Sequence, residues 1–385
     1  MSSSVGSSPS AGPLEAMHLA RGAHFFEYAG KRTPAHYGDV SDEYRTVRES
    51  VGITDLSVHG RLEIGGKERA PFINGLVSHH VKSLKPGAGV PALFLTAQGK
   101  VVADCTLLAA DDAFWIFTDA ATHEKLYKKL FALTYAGDFK VADRTKTHGV
   151  IGLHGPRSRA LLSAVAECDV RDWPATQTVE KVGGGGTEEI AIIPHRVVSV
   201  GDAVGFAVLH RRFGVEACDL VFPNESAAAV WEALERCGVS FGARPVGFDA
   251  LEVARIEAGV GRYGADFDEQ TLAPEAGLHD AVSYTKGCFV GQETIAKIHW
   301  RGHDQVARKL VRLSIAGDGV PSPGAPLLKG EKEVGLVTSV TREPLSDNVI
   351  ALGYVRSSAI APGAELAVKI GDATLTAAIR DGQEA

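Results

Sequence analysis

A cysteine and an aspartate carry most of the chemistry that this chain offers. Cys288 lies in the run KGCFVGQETIAK at 286–297, directly after a Lys-Gly pair and ahead of an apparent helix. A thiol reacts as thiolate, a form favoured by nearby cations and by helix N-termini. Lys286, Lys297 and Arg301 supply cations, and a helix beginning near Gly291 supplies the second condition. Cys288 therefore reads as a reactive thiolate, although a small buried residue at a strand–helix junction has the same surroundings. Asp104 follows the turn at 96–100 on an otherwise apolar strand. Burying a carboxylate there is costly unless something pairs with it, so Asp104 either faces a ligand or sits at a wet edge.

Three further patterns invite chemistry. Trp300 and Arg301 can stack on an aromatic ligand such as a pterin or an RNA base, or the Trp can cover a join between domains. His299 and His303 are spaced to share a helix face and hold a metal, but Gly302 weakens a helix there. The stretch 259–264 fits G-x-G-x-x-G, yet it follows a helical segment at 248–258, whereas a dinucleotide fingerprint follows a strand.

The elements that must position these groups are legible from periodicity. Ser41 reads as the N-cap of a helix that Gly52 closes, and helices follow at about 124–133 and 224–237, the latter with Gly238 as C-cap. Strand patterns occur at 61–64, 92–95, 101–108 and 114–117. The glycine run 183–186 reads as a hairpin tip. Beyond about residue 305 the texture becomes short alternating strands, with turns at 321–326, 346–348 and 362–363, which predicts a small barrel.

Bulk properties bound the rest. The 385 residues exceed one simple core, so two or three packed units are expected. A formal net charge of −7 argues against a generally nucleic-acid-binding surface. Five cysteines form no CxxC and no metal-ligand spacing, which fits a reducing cytoplasm. The first residues are rich in Ser, Gly and Pro, predicting disorder over 1–18, and no apolar stretch reaches membrane-spanning length.

The run at 286–297, followed by Arg301-Gly302, resembles the signature of the YgfZ family, folate-binding relatives of the glycine-cleavage T-protein. Asp104 falls on the second Asp of the T-protein turn N-x-x-G-G-x-x-D-D, which contacts folate and assists attack on the aminomethyl carbon; Ala103 replaces the first. The segments 52–57 (GITDLS), 153–156 (LHGP), 255–258 (RIEA), 263–269 (YGADFDE) and 275–278 (EAGL) extend the resemblance over about 40–310. It implies an α+β, T-protein-like fold of several subdomains around a central folate pocket over 19–304. A C-terminal small β-barrel over 305–385 completes it.

The resemblance also assigns a ligand set. Tetrahydrofolate or a folate derivative is the implied cofactor, with Asp104, Asp219, His59 and Arg301 facing it and Cys288 and Asp104 as the reactive groups. Asp219 stands where T-proteins carry a folate-binding Glu, Ser78-His79-His80 replaces their T-N-D, and Leu251 replaces the Arg of G-A-R-D. These departures weigh against glycine cleavage itself and for a retained pterin pocket. The expected function is that of a YgfZ-type protein, assisting iron–sulfur cluster assembly or repair and cluster-dependent tRNA modification. Iron–sulfur clients or assembly proteins are its implied partners. The alternatives are a folate-dependent aminomethyltransferase or demethylating enzyme, and an RNA-binding scaffold that keeps the fold.

Overall fold

A computed structural model describes residues 12–181, 186–361, 364–371 and 373–380. Most of the expected hairpin tip (183–185), the 362–363 turn and the first eleven residues lie outside these. The disorder expected through residue 18 does not extend that far. Glu15–Ala20 forms a helix, and Leu14 and His18 are buried, because His18 Nε2 reaches Asp55 at 3.1 Å and its ring meets Trp231 edge-on.

Two antiparallel sheets and a barrel make up the frame. The first sheet runs Ala88–Leu95, Val101–Ala109, Ala113–Thr118, Gly60–Gly65 and Lys140–Asp143 in spatial order. The second runs His195–Val200, Ala203–Arg212, Val215–Pro223, His148–His154, Val51–Asp55 and Ala243–Pro245, with only the last pair parallel. Each sheet buries one face under helices, as apolar alternation requires. Leu126 and Leu130 of the helix Ala120–Phe131 enter the core of the first, while Trp231 and Leu234 of Asn224–Gly238 enter that of the second.

Helix ends differ from the sequence reading: Gly52 does not close the helix begun near Ser41, which ends at Glu49, but lies in the strand Val51–Asp55, and the helix expected from about residue 124 begins at Ala120. Asp39, not Ser41, is the N-cap of Val40–Glu49: its carboxylate accepts from the Ser41 N–H at 2.7 Å. Gly238 is not a C-cap but lies inside its helix, where an added Cβ would stand 2.5 Å from the Ala243 Cβ. The left-handed turn comes at Gly242, φ +68°.

The barrel closes through Arg308–Ile315, Val349–Arg356, Lys332–Arg342, Pro326–Lys329, Glu365–Ile370 and Ala373–Ile379. Pro326–Lys329 is the strand that the proline-rich sequence conceals. Its Pro326 begins the strand, where a missing N–H does little harm. The barrel docks on the helix Phe248–Ala258 through Ile256, Leu310, Ile350 and Leu352. Arg255 welds the joint: its guanidinium meets Asp266 at 2.7 Å and Ser339 at 2.8 Å. Asp266 in turn accepts from Thr338 and Ser339 of the barrel. Among the described residues no helix is long and apolar enough to cross a membrane.

Candidate functional site

A cavity of about 360 Å³ opens where the two sheets, the hairpin His24–Tyr28/Lys31–His36 and the helix Phe248–Ala258 meet. Asp104 projects into it from Val101–Ala109. Its Oδ1 is shielded from water and has no partner among the described residues. Burial, reinforced by the charge of Asp119, pushes the Asp104 carboxyl up to about 6. An orphaned acceptor inside an aromatic cavity is what a ligand site looks like before its ligand arrives.

Asp119 is not singled out by the sequence, since the helix expected from about residue 124 begins instead at Ala120. It does cap Ala120–Phe131, accepting from the Ala121 N–H at 2.8 Å. It also lines the cavity and accepts from the Tyr28 hydroxyl, 2.8 Å from each oxygen. Arg262 reaches Tyr28 at 3.2 Å and lies over the Tyr28 and Phe248 rings. His59, named from the resemblance, is in the lining as well, with Nδ1 3.8 Å from Asp119.

Asp219 lines the opposite wall, but it is not a free acceptor. Arg212 grips both its oxygens, at 3.0 and 2.8 Å, and His210 Nε2 stands 3.1 Å away. Burial alone would raise this carboxyl; Arg212 and His210 instead hold it far below the carboxylate range. Leu251 makes the neighbouring surface apolar.

Cys288 and Arg301 are not in the cavity lining; both are exposed. Lys286 does not attend the thiol either. Its ammonium is buried and donates to the carbonyls of Asn74, Val77 and His79 at 2.7, 2.6 and 2.9 Å, and burial lowers it to about 7. The helix expected near Gly291 is the short Gln292–Ala296 followed by a π-turn, Lys297–Arg301. His299 stacks on Tyr284 with centroids 3.7 Å apart and pairs with Asp304. The thiol that the cavity does contain is Cys105, which burial and Asp104 push away from the thiolate.

The signature serves the site through the backbone. Gly291 (φ +85°) presses on the turn before Asp104, and a Cβ there would fall 2.4 Å from the Thr96 carbonyl oxygen and 3.2 Å from Gly99 Cα. Gly291→Ala is expected to cost about 2–4 kcal/mol, combining left-handed strain with overpacking, and to weaken ligand binding at Asp104. Chemical denaturation paired with a binding titration checks this. The glycines of 259–264 likewise serve geometry: Gly259 (φ +79°) stops the helix Phe248–Ala258, and the following turn delivers Arg262 and Tyr263 to the cavity.

Comparison with known proteins agrees with this architecture. The GCVT N-terminal domain profile matches residues 14–286, and the glycine cleavage T-protein C-terminal barrel profile matches 308–382. An aminomethyltransferase of Thermosynechococcus vestitus is 29% identical over 367 residues, covering 95% of this chain and 93% of that protein. One from Thermotoga maritima is 29% identical over 362 residues, covering 94% and 91%. The crystal structure of glycine cleavage system aminomethyltransferase T from Bartonella henselae superposes with a TM-score of 0.82 at 21% identity, covering 97% of each chain. These relatives point to the T-protein itself rather than to the YgfZ branch expected from the cysteine motif. With both of its domains matched in order, the chain belongs to the glycine-cleavage T-protein family.

Proposed function

We propose that this protein binds tetrahydrofolate or a related folate in the central cavity and transfers a one-carbon unit there, as a folate-dependent aminomethyltransferase or demethylating relative. The observation that carries this reading is Asp104, an orphaned carboxyl whose proton affinity burial raises, on the wall of a cavity lined by Phe117, Phe213, Phe248 and Tyr263. Flat aromatic ligands suit such walls. Tetrahydrofolate supplies a ring amine that accepts the one-carbon unit. Asp104 holds or removes a proton at the ligand amine, and the aromatic walls exclude water from it. Arg212 and Arg262 offer donors to the ligand's acceptor groups. A second cavity of about 670 Å³ shares Thr33, Pro34, Asp55 and Val58 with the first and is lined by Lys31, Arg32 and Lys146. Asp55, Asp143 and Glu225 line it as well and offset these cations, so its net charge selects neither sign of ligand.

Incubation with tetrahydrofolate and an aminomethyl donor should yield one-carbon-substituted folate and free amine; absence of product with every donor tried, despite folate binding, argues for a binding protein instead. The iron–sulfur reading rests on Cys288, and nothing in the site favours it. That thiol lies outside the cavity, and among the described residues no cluster of three or more His, Cys, Asp or Glu is placed to hold a metal. Cys288→Ala is accordingly expected to leave stability within about 0.5 kcal/mol of wild type, and folate binding unchanged. A melting curve and a titration check both.

A further inference from the structure

The hairpin of Ala203–Arg212 and Val215–Pro223 turns in two residues, Phe213 and Gly214, inside the closing pair of Arg212 and Val215. Both loop residues are left-handed, with φ +54° and +78°, the signs that a type I′ turn requires. Such a turn favours Asn-Gly or Gly-Gly, and a glycine duly fills its second place. A phenylalanine in the first place is strained, because its Cβ crowds the backbone there. The tip is nevertheless held fast. Arg48 Nη1 donates to the Phe213 carbonyl at 3.2 Å, and Arg211 Nη2 donates to the Gly214 carbonyl at 2.8 Å. Arg212, next to the loop, grips Asp219 on the facing strand.

Phe213 lines the central cavity and packs against the apolar cluster that contains Leu56 and Leu251. Of the four phenyl and phenol rings on the cavity wall, the other three already have a ring beside them. Phe117 meets Phe206 edge-on, Phe248 lies 4.9 Å from Phe26, and Tyr263 meets Phe267 edge-on. Among the described residues the Phe213 ring has no such neighbour. We propose that Phe213 is a specificity-determining residue of the one-carbon site: its ring stacks on a flat ring of the folate, and the strained turn is what carries it there. Strained backbone persists where the surrounding contacts enforce it, and it gathers at ligand sites. Here three arginines enforce it. An aromatic ring without a stacking partner, set in the wall of an apolar cavity, suits a planar conjugated ligand better than an aliphatic one. This role rests on the one-carbon reading above.

The test is a calorimetric titration of tetrahydrofolate into wild type, Phe213→Tyr, Phe213→Leu and Phe213→Asn, at a temperature where denaturation curves show each protein fully folded. Phe213→Tyr keeps the flat face and is expected to bind within about twofold of wild type. Phe213→Leu keeps apolar bulk without that face, so its affinity should fall about 5- to 10-fold, the worth of one aromatic contact. Phe213→Asn suits the left-handed turn, so it keeps the tip in place while removing the ring. Its affinity should fall at least as far. Wild-type affinity in Phe213→Leu or Phe213→Asn overturns the proposal. An equal loss in Phe213→Tyr overturns it too, since the loss would then follow any change at the turn. Absence of binding by wild type would refute the one-carbon reading and this role with it. Binding that is equal in wild type and both non-aromatic variants would refute the role of Phe213 alone.

Discussion

Asp104→Asn is expected to lower folate-dependent turnover by about 10²- to 10⁴-fold, the usual contribution of one acid–base group, while making the protein more stable at alkaline pH. The second effect follows from linkage. In the folded chain the carboxyl sits at about 6, above its value near 3.8 in an unfolded chain. The native state therefore holds the proton more tightly. Its stabilising contribution is complete below about pH 4 and is lost as pH rises through 6. By pH 8 the buried charge costs up to about 3 kcal/mol, which the neutral amide avoids. Thermal melting at pH 4 and pH 8 should show the variant level with wild type at the lower pH and above it at the higher. A variant that loses stability at both would mean that Asp104 is a structural residue with a partner in solution.

Asp266→Ala is expected to cost about 3–5 kcal/mol, the penalty for stranding one partner of a buried ion pair. Asp266 is fully buried and Arg255 nearly so. Without the carboxylate, Arg255 keeps Glu252 and the Val260 carbonyl but loses its deepest counter-charge, and Thr338 and Ser339 lose their acceptor. The Arg262 N–H also donates to Asp266 at 3.0 Å, so the wall carrying Arg262 and Tyr263 should loosen with the barrel. Urea denaturation is expected to show the lower midpoint, and ligand affinity should fall even where the variant remains folded.

Both aspartates show what the sequence reveals and what it hides. The segments around Asp104 and Asp266 were recognisable, and so was the fold they imply, because spacing and turn chemistry are local properties. The barrel was visible from alternation alone, apart from the strand that opens on Pro326. Roles were less legible, since they depend on what each side chain meets across the chain. The KGCFVGQE run stands out by its cysteine, yet its work is done by Lys286, which gathers three carbonyls, and by Gly291, which lets the 96–100 turn approach. Asp219 was identified without Arg212, seven residues earlier on the paired strand Ala203–Arg212, whose guanidinium takes up its carboxylate. Asp119, Tyr28 and Arg262 converge from three separate elements, and no spacing in the sequence announces that.

The most direct test of the central claim is a calorimetric titration of tetrahydrofolate into wild type, Asp104→Asn and Cys288→Ala. Saturable single-site binding by wild type, matched by Cys288→Ala and weakened about 10- to 100-fold in Asp104→Asn, is the expected result for a charged hydrogen-bonding group lost from the cavity. Undiminished binding by Asp104→Asn, or binding lost in Cys288→Ala, would contradict a folate site built around Asp104.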